Sequence, residues 1–162
     1  MTLALCPGSF DPVTNGHINI FERTAKMFDH LVIAVFNNVR KTPFLSIEER
    51  VQLLQQATAH IDNVTVDAFD GLLSDYINQK KANVVVRGLR DQNDFFYETS
   101  QMLMVKRMAP NVEMMYLMSE HQYSYVSSSA IRELANFHGD IRGLVPDCVE
   151  NVIRSKYNLS NN

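Results

Sequence analysis

Cysteine is scarce in this chain. Only Cys6 and Cys148 occur, too far apart for a metal-ligand spacing or a disulfide framework, so the chain reads as reduced and intracellular with both thiols filling core. An excess of positive charge is missing as well. The formal net charge is -3, which provides no field to hold a long polyanion, and no basic stripe is interleaved with aromatics; a nucleic-acid-binding module is therefore excluded. Local clusters of Arg and Lys could still grip a small phosphate ligand. No stretch approaches the roughly 20 apolar residues of a membrane span, and the opening MTLALC lacks the basic segment and apolar run of a secretory leader. The expected location is cytoplasmic, with no membrane partner. Repeats and low-complexity segments are also missing.

What is present suits one domain. With 162 residues, 46% of them apolar, the chain can bury a real core once but not comfortably twice, so residues 1–162 are read as a single unit whose last residues, NLSNN, form a frayed tail. Short β-branched runs alternate with amphipathic stretches throughout, the pattern of βαβ units. Strands are expected from Thr2 to Cys6, Leu31 to Phe36, Val64 to Ala68, Val84 to Arg87 and Val112 to Met118. Between them fall helices: one with Ile18, Phe21, Ala25 and Phe28 on one face, one opened by a Ser46/Glu49 capping box, one from Leu72 to Lys80, and a long one from about Asp94 to Met108. Two more begin near Ser127 to Ser129 and at Pro146. The fold class is a doubly wound, Rossmann-like α/β domain with a five-stranded parallel sheet in the order 3-2-1-4-5. Its ligand should sit beyond the carboxyl ends of the strands, between the first and fourth.

The residues of strongest chemical character follow strands one, four and five. After strand one comes PGSFDPVTNGH. Gly8 and Ser9 allow close backbone approach to a ligand, Ser9 adds a hydroxyl, and His17 in the first turn of the next helix can offer an imidazole donor to an anion at the helix end. An ordinary helix entry with a surface histidine is the competing reading. After strand four comes RGLRDQND. Arg87 and Arg90 form a pair of guanidinium groups suited to phosphate, unless both pair with Asp91, Asp94 or Glu98. After strand five, Ser127, Ser128 and Ser129 precede a helix, as anion donors or merely as caps. Lys41, or its neighbour Arg40, lies in a loop after strand two from which an ammonium could reach a bound phosphate; a solvated lysine is the alternative.

These motifs are recognisable together. GSFDPVTNGH resembles the signature of the HxGH nucleotidyltransferases, with Thr14 where many relatives have the first histidine, and RGLRDQNDFFYE and YSYVSSSAIRE resemble segments of the phosphopantetheine adenylyltransferases. The resemblance spans nearly the whole chain. Phe96, Asp91-Gln92 and Arg132 depart from the residues commoner in that family, Arg132 in the direction of the pyridine-nucleotide adenylyltransferases. The resemblance implies transfer of an adenylyl group from ATP, with Mg2+, to 4'-phosphopantetheine by a homohexamer. It also implies roles. His17 stabilises the transition state, with Lys41 and Arg90. Ser9, Phe10, His17, Gly88, Leu89, Arg90, Glu98, Tyr123, Ser124, Tyr125, Val126, Ser127, Ser128 and Ser129 contact ATP. Ser9, Lys41, Leu73 and Arg87 contact the acceptor. Ser46 to Arg50 resembles a recurrent helix start of the family, with a structural role.

The expected chemistry is direct. A phosphate oxygen of the acceptor is already anionic near neutral pH, so neither a general base nor a covalent intermediate is required, in keeping with the lack of a Ser-His-Asp or Cys-His set. The protein positions two anions and neutralises charge. No metal ligand is expected from protein side chains. Six of the eight methionines fall between Met102 and Met118, a composition of adaptable core or subunit interface. The rivals are a nicotinate or nicotinamide mononucleotide adenylyltransferase, against which RGLRDQNDFFYE argues, and a non-catalytic nucleotide sensor, which could dispense with His17 and Lys41.

Overall fold

The computed structural model describes residues 1–36 and 42–157. Arg40, Lys41 and the tail 158–162 lie outside the described residues. Five strands, β1 (Leu3–Gly8), β2 (His30–Phe36), β3 (Val64–Phe69), β4 (Val84–Leu89) and β5 (Glu113–Met118), alternate with helices α1 (Asn15–Ala25), α2 (Ile47–Ala57), α3 (Leu73–Lys80) and α4 (Gln92–Met108), and α5 (Ser128–Asn136) and α6 (Asp147–Tyr157) follow. All strand pairs are parallel and the order is β3-β2-β1-β4-β5, as expected.

The central strands are buried on both faces, and their period of two divides the core into two clusters. Ala4 and Cys6 of β1, Leu31, Ile33 and Val35 of β2 and Val86 of β4 face one side, where α1, α2, α5 and α6 contribute Phe21, Leu54, Ile131 and Ile153. Leu5, Val32, Ala34 and Val85 face the other, against Tyr76 and Ile77 of α3 and Met102 and Val105 of α4. All of these residues except Cys6, Val32, Met102 and Val105 are 0–2% exposed, so the sheet is sealed between two helical layers.

Helix starts follow cap chemistry. Ser46 accepts from the Glu49 amide and the Glu49 carboxylate accepts from the Ser46 amide, the expected capping box. The α4 helix begins at Gln92, ahead of the expected Asp94, because the Asp91 carboxylate accepts the Asp94 amide at 2.9 Å and caps the helix there. Strand β4 runs past the expected Arg87 to Leu89, since Gly88 and Leu89 still pair with Leu117 and Met118 of β5.

One irregularity in the sheet positions the site. β1 pairs with β2 along six residues, Leu3 to Gly8, but with β4 only at Ala4–Val84 and Leu5–Val85. Beyond those two pairs the strands part. Cys6, Pro7 and Gly8 on one side and Val86, Arg87 and Gly88 on the other become walls of a cleft at the switch point of the strand order.

Candidate active site

The cleft holds about 650 Å³ and is built from the loops after β1, β4 and β5, with contributions from α2, α3 and α4. Of the residues expected at the site, Ser9, Phe10, His17, Leu73, Arg87, Gly88, Arg90, Glu98, Tyr123, Val126, Ser127, Ser128 and Ser129 all line it. Leu89, Ser124 and Tyr125 do not. Leu89 is buried in the sheet, and its carbonyl accepts the Ser119 amide at 2.7 Å. Ser124 donates its hydroxyl to the His121 carbonyl, and the Tyr125 side chain is 69% exposed away from the cleft.

Beyond β1 the chain turns sharply. Phe10 has a φ of 46°, in the left-handed region that a bulky residue rarely adopts, and its buried ring lies against Gly8. A Cβ at Gly8 would stand 2.7 Å from Phe10 Cζ, so glycine is required there by the ring, with Ser9 left exposed above it. The Asp11 carboxylate, 7% exposed, accepts the amides of Phe44 and Leu45, both at 2.8 Å, and ties this turn to the segment entering α2.

His17 is the third residue of a capping box opened by Thr14. Its amide donates to Thr14 Oγ1, while the Thr14 amide donates to His17 Nδ1 at 3.0 Å. Nδ1 is therefore an acceptor, and the neutral ring carries its proton on Nε2. Burial first, then the positive charges of Arg90 and Arg87, pull the pKa down to about 4. Phe10 stands edge-on to the imidazole, with centroids 5.2 Å apart, and Phe21 lies stacked at 6.4 Å. The ring is held as a neutral donor. Nearby, burial raises the Cys6 thiol to about 12, so this sulfur stays protonated and inert at neutral pH.

Both arginines of the β4 loop are braced by carboxylates of α4. Arg87 makes a two-pronged pair with Glu98, each contact 2.7 Å, and also donates to the Pro7 carbonyl across the parted strands. Arg90 pairs in the same manner with Asp94 at 2.9 and 3.0 Å. Pairing with acids and phosphate binding are compatible, because a guanidinium carries five N–H donors.

The three serines have separate tasks. Ser127 caps α5 by accepting the Ala130 amide, Ser128 donates to the Pro12 carbonyl at 2.8 Å, and Ser129 accepts from Arg132, which also donates to the Asp11 carbonyl. These bonds dock the start of α5 on the loop after β1. Arg50, Asp11 and Arg132 also line the cleft. The sequence pattern assigns no ligand role to any of them, since an arginine or aspartate near a helix start ordinarily reads as a solvated or capping group.

A cytidylyltransferase-like family model matches residues 5–134. Among curated relatives, a phosphopantetheine adenylyltransferase of Syntrophomonas wolfei is 47% identical over 96% of this chain and 97% of its own. Another of that name from Rubrobacter xylanophilus is 46% identical over 99% and 98%. A crystal structure from Vibrio parahaemolyticus, described as that of a nicotinate-nucleotide adenylyltransferase, superposes with a TM-score of 0.72 at 16% identity, covering 100% of this chain and 98% of that one; it shares the fold. With a family match over most of its length and relatives nearly half identical over almost all of both chains, this chain belongs to the cytidylyltransferase-like family and, within it, to the phosphopantetheine adenylyltransferases.

Proposed function

We propose that the protein transfers the adenylyl group of ATP reversibly to 4'-phosphopantetheine, giving dephospho-coenzyme A and pyrophosphate, a step of coenzyme A biosynthesis. The observation that carries this reading is the convergence of the loops after β1, β4 and β5 in one cleft that brings together a neutral histidine and two braced arginines. The names of the relatives supply the substrates. An acceptor phosphate oxygen attacks the α-phosphorus in line as the bond to the pyrophosphate oxygen breaks, and no enzyme nucleophile takes part.

The residues have distinct roles in this reading. His17 donates from Nε2 to a phosphoryl oxygen whose charge grows in the transition state. Arg90 and Lys41 add positive charge. Ser9, Phe10, Gly88, Glu98, Tyr123 and Val126 to Ser129 hold ATP. Ser9, Lys41, Arg87 and Leu73 hold the acceptor, Leu73 offering an apolar side chain at the start of α3. Mg2+ bound with ATP would supply further neutralisation of phosphate charge, with no side chain assigned as its ligand.

The proposed setting is a cytoplasmic homohexamer. No described helix is long and apolar enough to cross a membrane. Support for assembly comes from the outer face of α4, where Phe96, Leu103 and Met104 are 60–73% exposed. The test is pyrophosphate release from ATP and Mg2+ with 4'-phosphopantetheine and, in parallel, nicotinate mononucleotide. Release with the first alone is expected. Release with the second alone would overturn the acceptor, and ATP binding without release would leave a nucleotide sensor.

A further inference from the structure

Arg50, in the first turn of α2, is the most deeply buried charged side chain of the described residues, at 3% exposure. Its guanidinium donates to three carbonyls from three segments: Ser9 at 3.0 Å, Ser46 at 3.3 Å and Phe36 at 3.4 Å. No carboxylate of the described residues forms an ion pair with it, and the segments 37–41 and 158–162 contain no acidic side chain. The contrast with Arg87 and Arg90 is direct. Carbonyl dipoles offset only part of the cost of burying an ion.

The geometry also leaves it an open donor. Nη2 makes no hydrogen bond to a described residue, and no fully buried side-chain nitrogen or oxygen among them is left unpaired. Nη2 therefore keeps contact with the cleft that Arg50 lines. We propose that Arg50 is a phosphate-binding residue, its Nη2 donating to an anionic phosphate oxygen of a substrate held at Ser9. This rests on the phosphoryl-transfer reading above. The oxygen belongs either to ATP or to the phosphate monoester of the acceptor.

Two variants and one ligand titration test it. Arg50→Met removes the charge and keeps a similar stem; Arg50→Lys keeps the charge and gives up the fork. Loss of one charge-assisted hydrogen bond should raise KM for one phosphate-bearing substrate by about ten- to a hundredfold, with Arg50→Lys recovering part of the loss. The substrate that responds identifies the source of the oxygen. A folded Arg50→Met protein, checked by circular dichroism and thermal unfolding, with unchanged KM for both substrates would overturn the proposal.

Should the methionine variant fail to fold, the unaltered protein carries the test. The guanidinium NMR signal of Arg50, identified by its loss in Arg50→Lys, should move on titration with ATP, inorganic pyrophosphate or 4'-phosphopantetheine. No movement with any of the three overturns the assignment. Movement with ATP or pyrophosphate, in a protein that releases no pyrophosphate with 4'-phosphopantetheine, would uphold Arg50 and remove the acceptor instead.

Discussion

A histidine whose Nδ1 accepts a main-chain proton cannot be protonated at that nitrogen without losing its cap, and His17 is in this position. It therefore works uncharged. If Nε2 stabilises developing phosphoryl charge, His17→Ala should lower kcat by about 10²–10³, the scale for removal of one such donor, and an unchanged kcat would remove the role. The depressed pKa has a second outcome. With His17 neutral down to about pH 4, kcat/KM should show no inflection near the ordinary histidine value of 6.5 that disappears on His17→Asn. Stability moves the other way with acid. The unfolded chain takes up the His17 proton near 6.5 while the folded one resists until about 4, so this residue's contribution falls as pH drops through that window. Urea unfolding at several pH values reads that slope.

At the scale of elements, the cleft depends on how loops are tied to helices. Asp11 is the clearest tie: without its carboxylate the amides of Phe44 and Leu45 lose their acceptors in a largely buried place. Asp11→Ala should cost about 2–4 kcal/mol, seen as a lower urea midpoint at unchanged m value. The strands and most helix positions were legible in the sequence because β-branched runs, capping residues and helical periodicity are local. The start of α4 two residues ahead of the expectation has a definable cause: Asp91 was legible as a candidate acid for arginine, and its capping of the Asp94 amide depends on side-chain geometry. The end of β4 escaped for another reason, since Gly88 is a poor strand residue and is kept in the ladder by its neighbour β5. Within the site, the three loops were legible from their placement after strands. The ion pairs of Arg87 and Arg90 were legible only as one of two readings, and the burial of Arg50 not at all, because two of its three carbonyl partners, Ser9 and Phe36, lie outside its own helix and its cap.

At the scale of the whole molecule, the α4 helix presents two apolar faces. It has an inner face against β4 and β5, through Met102 and Val105, and an outer face on which Phe96, Leu103 and Met104 stay exposed. A helix apolar on two sides shows little amphipathic contrast, as expected where the second side meets another subunit. Sedimentation should find an assembly of several chains, and Leu103→Glu should lower its mass while leaving the far-ultraviolet spectrum unchanged. A monomeric parent protein would overturn the proposed hexamer.

The parting of β1 from β4 after two residue pairs has a further effect on what the molecule can tolerate. The hydrogen-bonded half of the sheet and the half that meets ligand share the same strands but not the same bonds, and the opening is spanned by the Arg87 side chain, reaching to the Pro7 carbonyl and braced by Glu98. The breadth of the binding chamber is thus a property of exchangeable side chains. Changes at the strand tips can refit the chamber to a different guest while the scaffold beneath keeps its register.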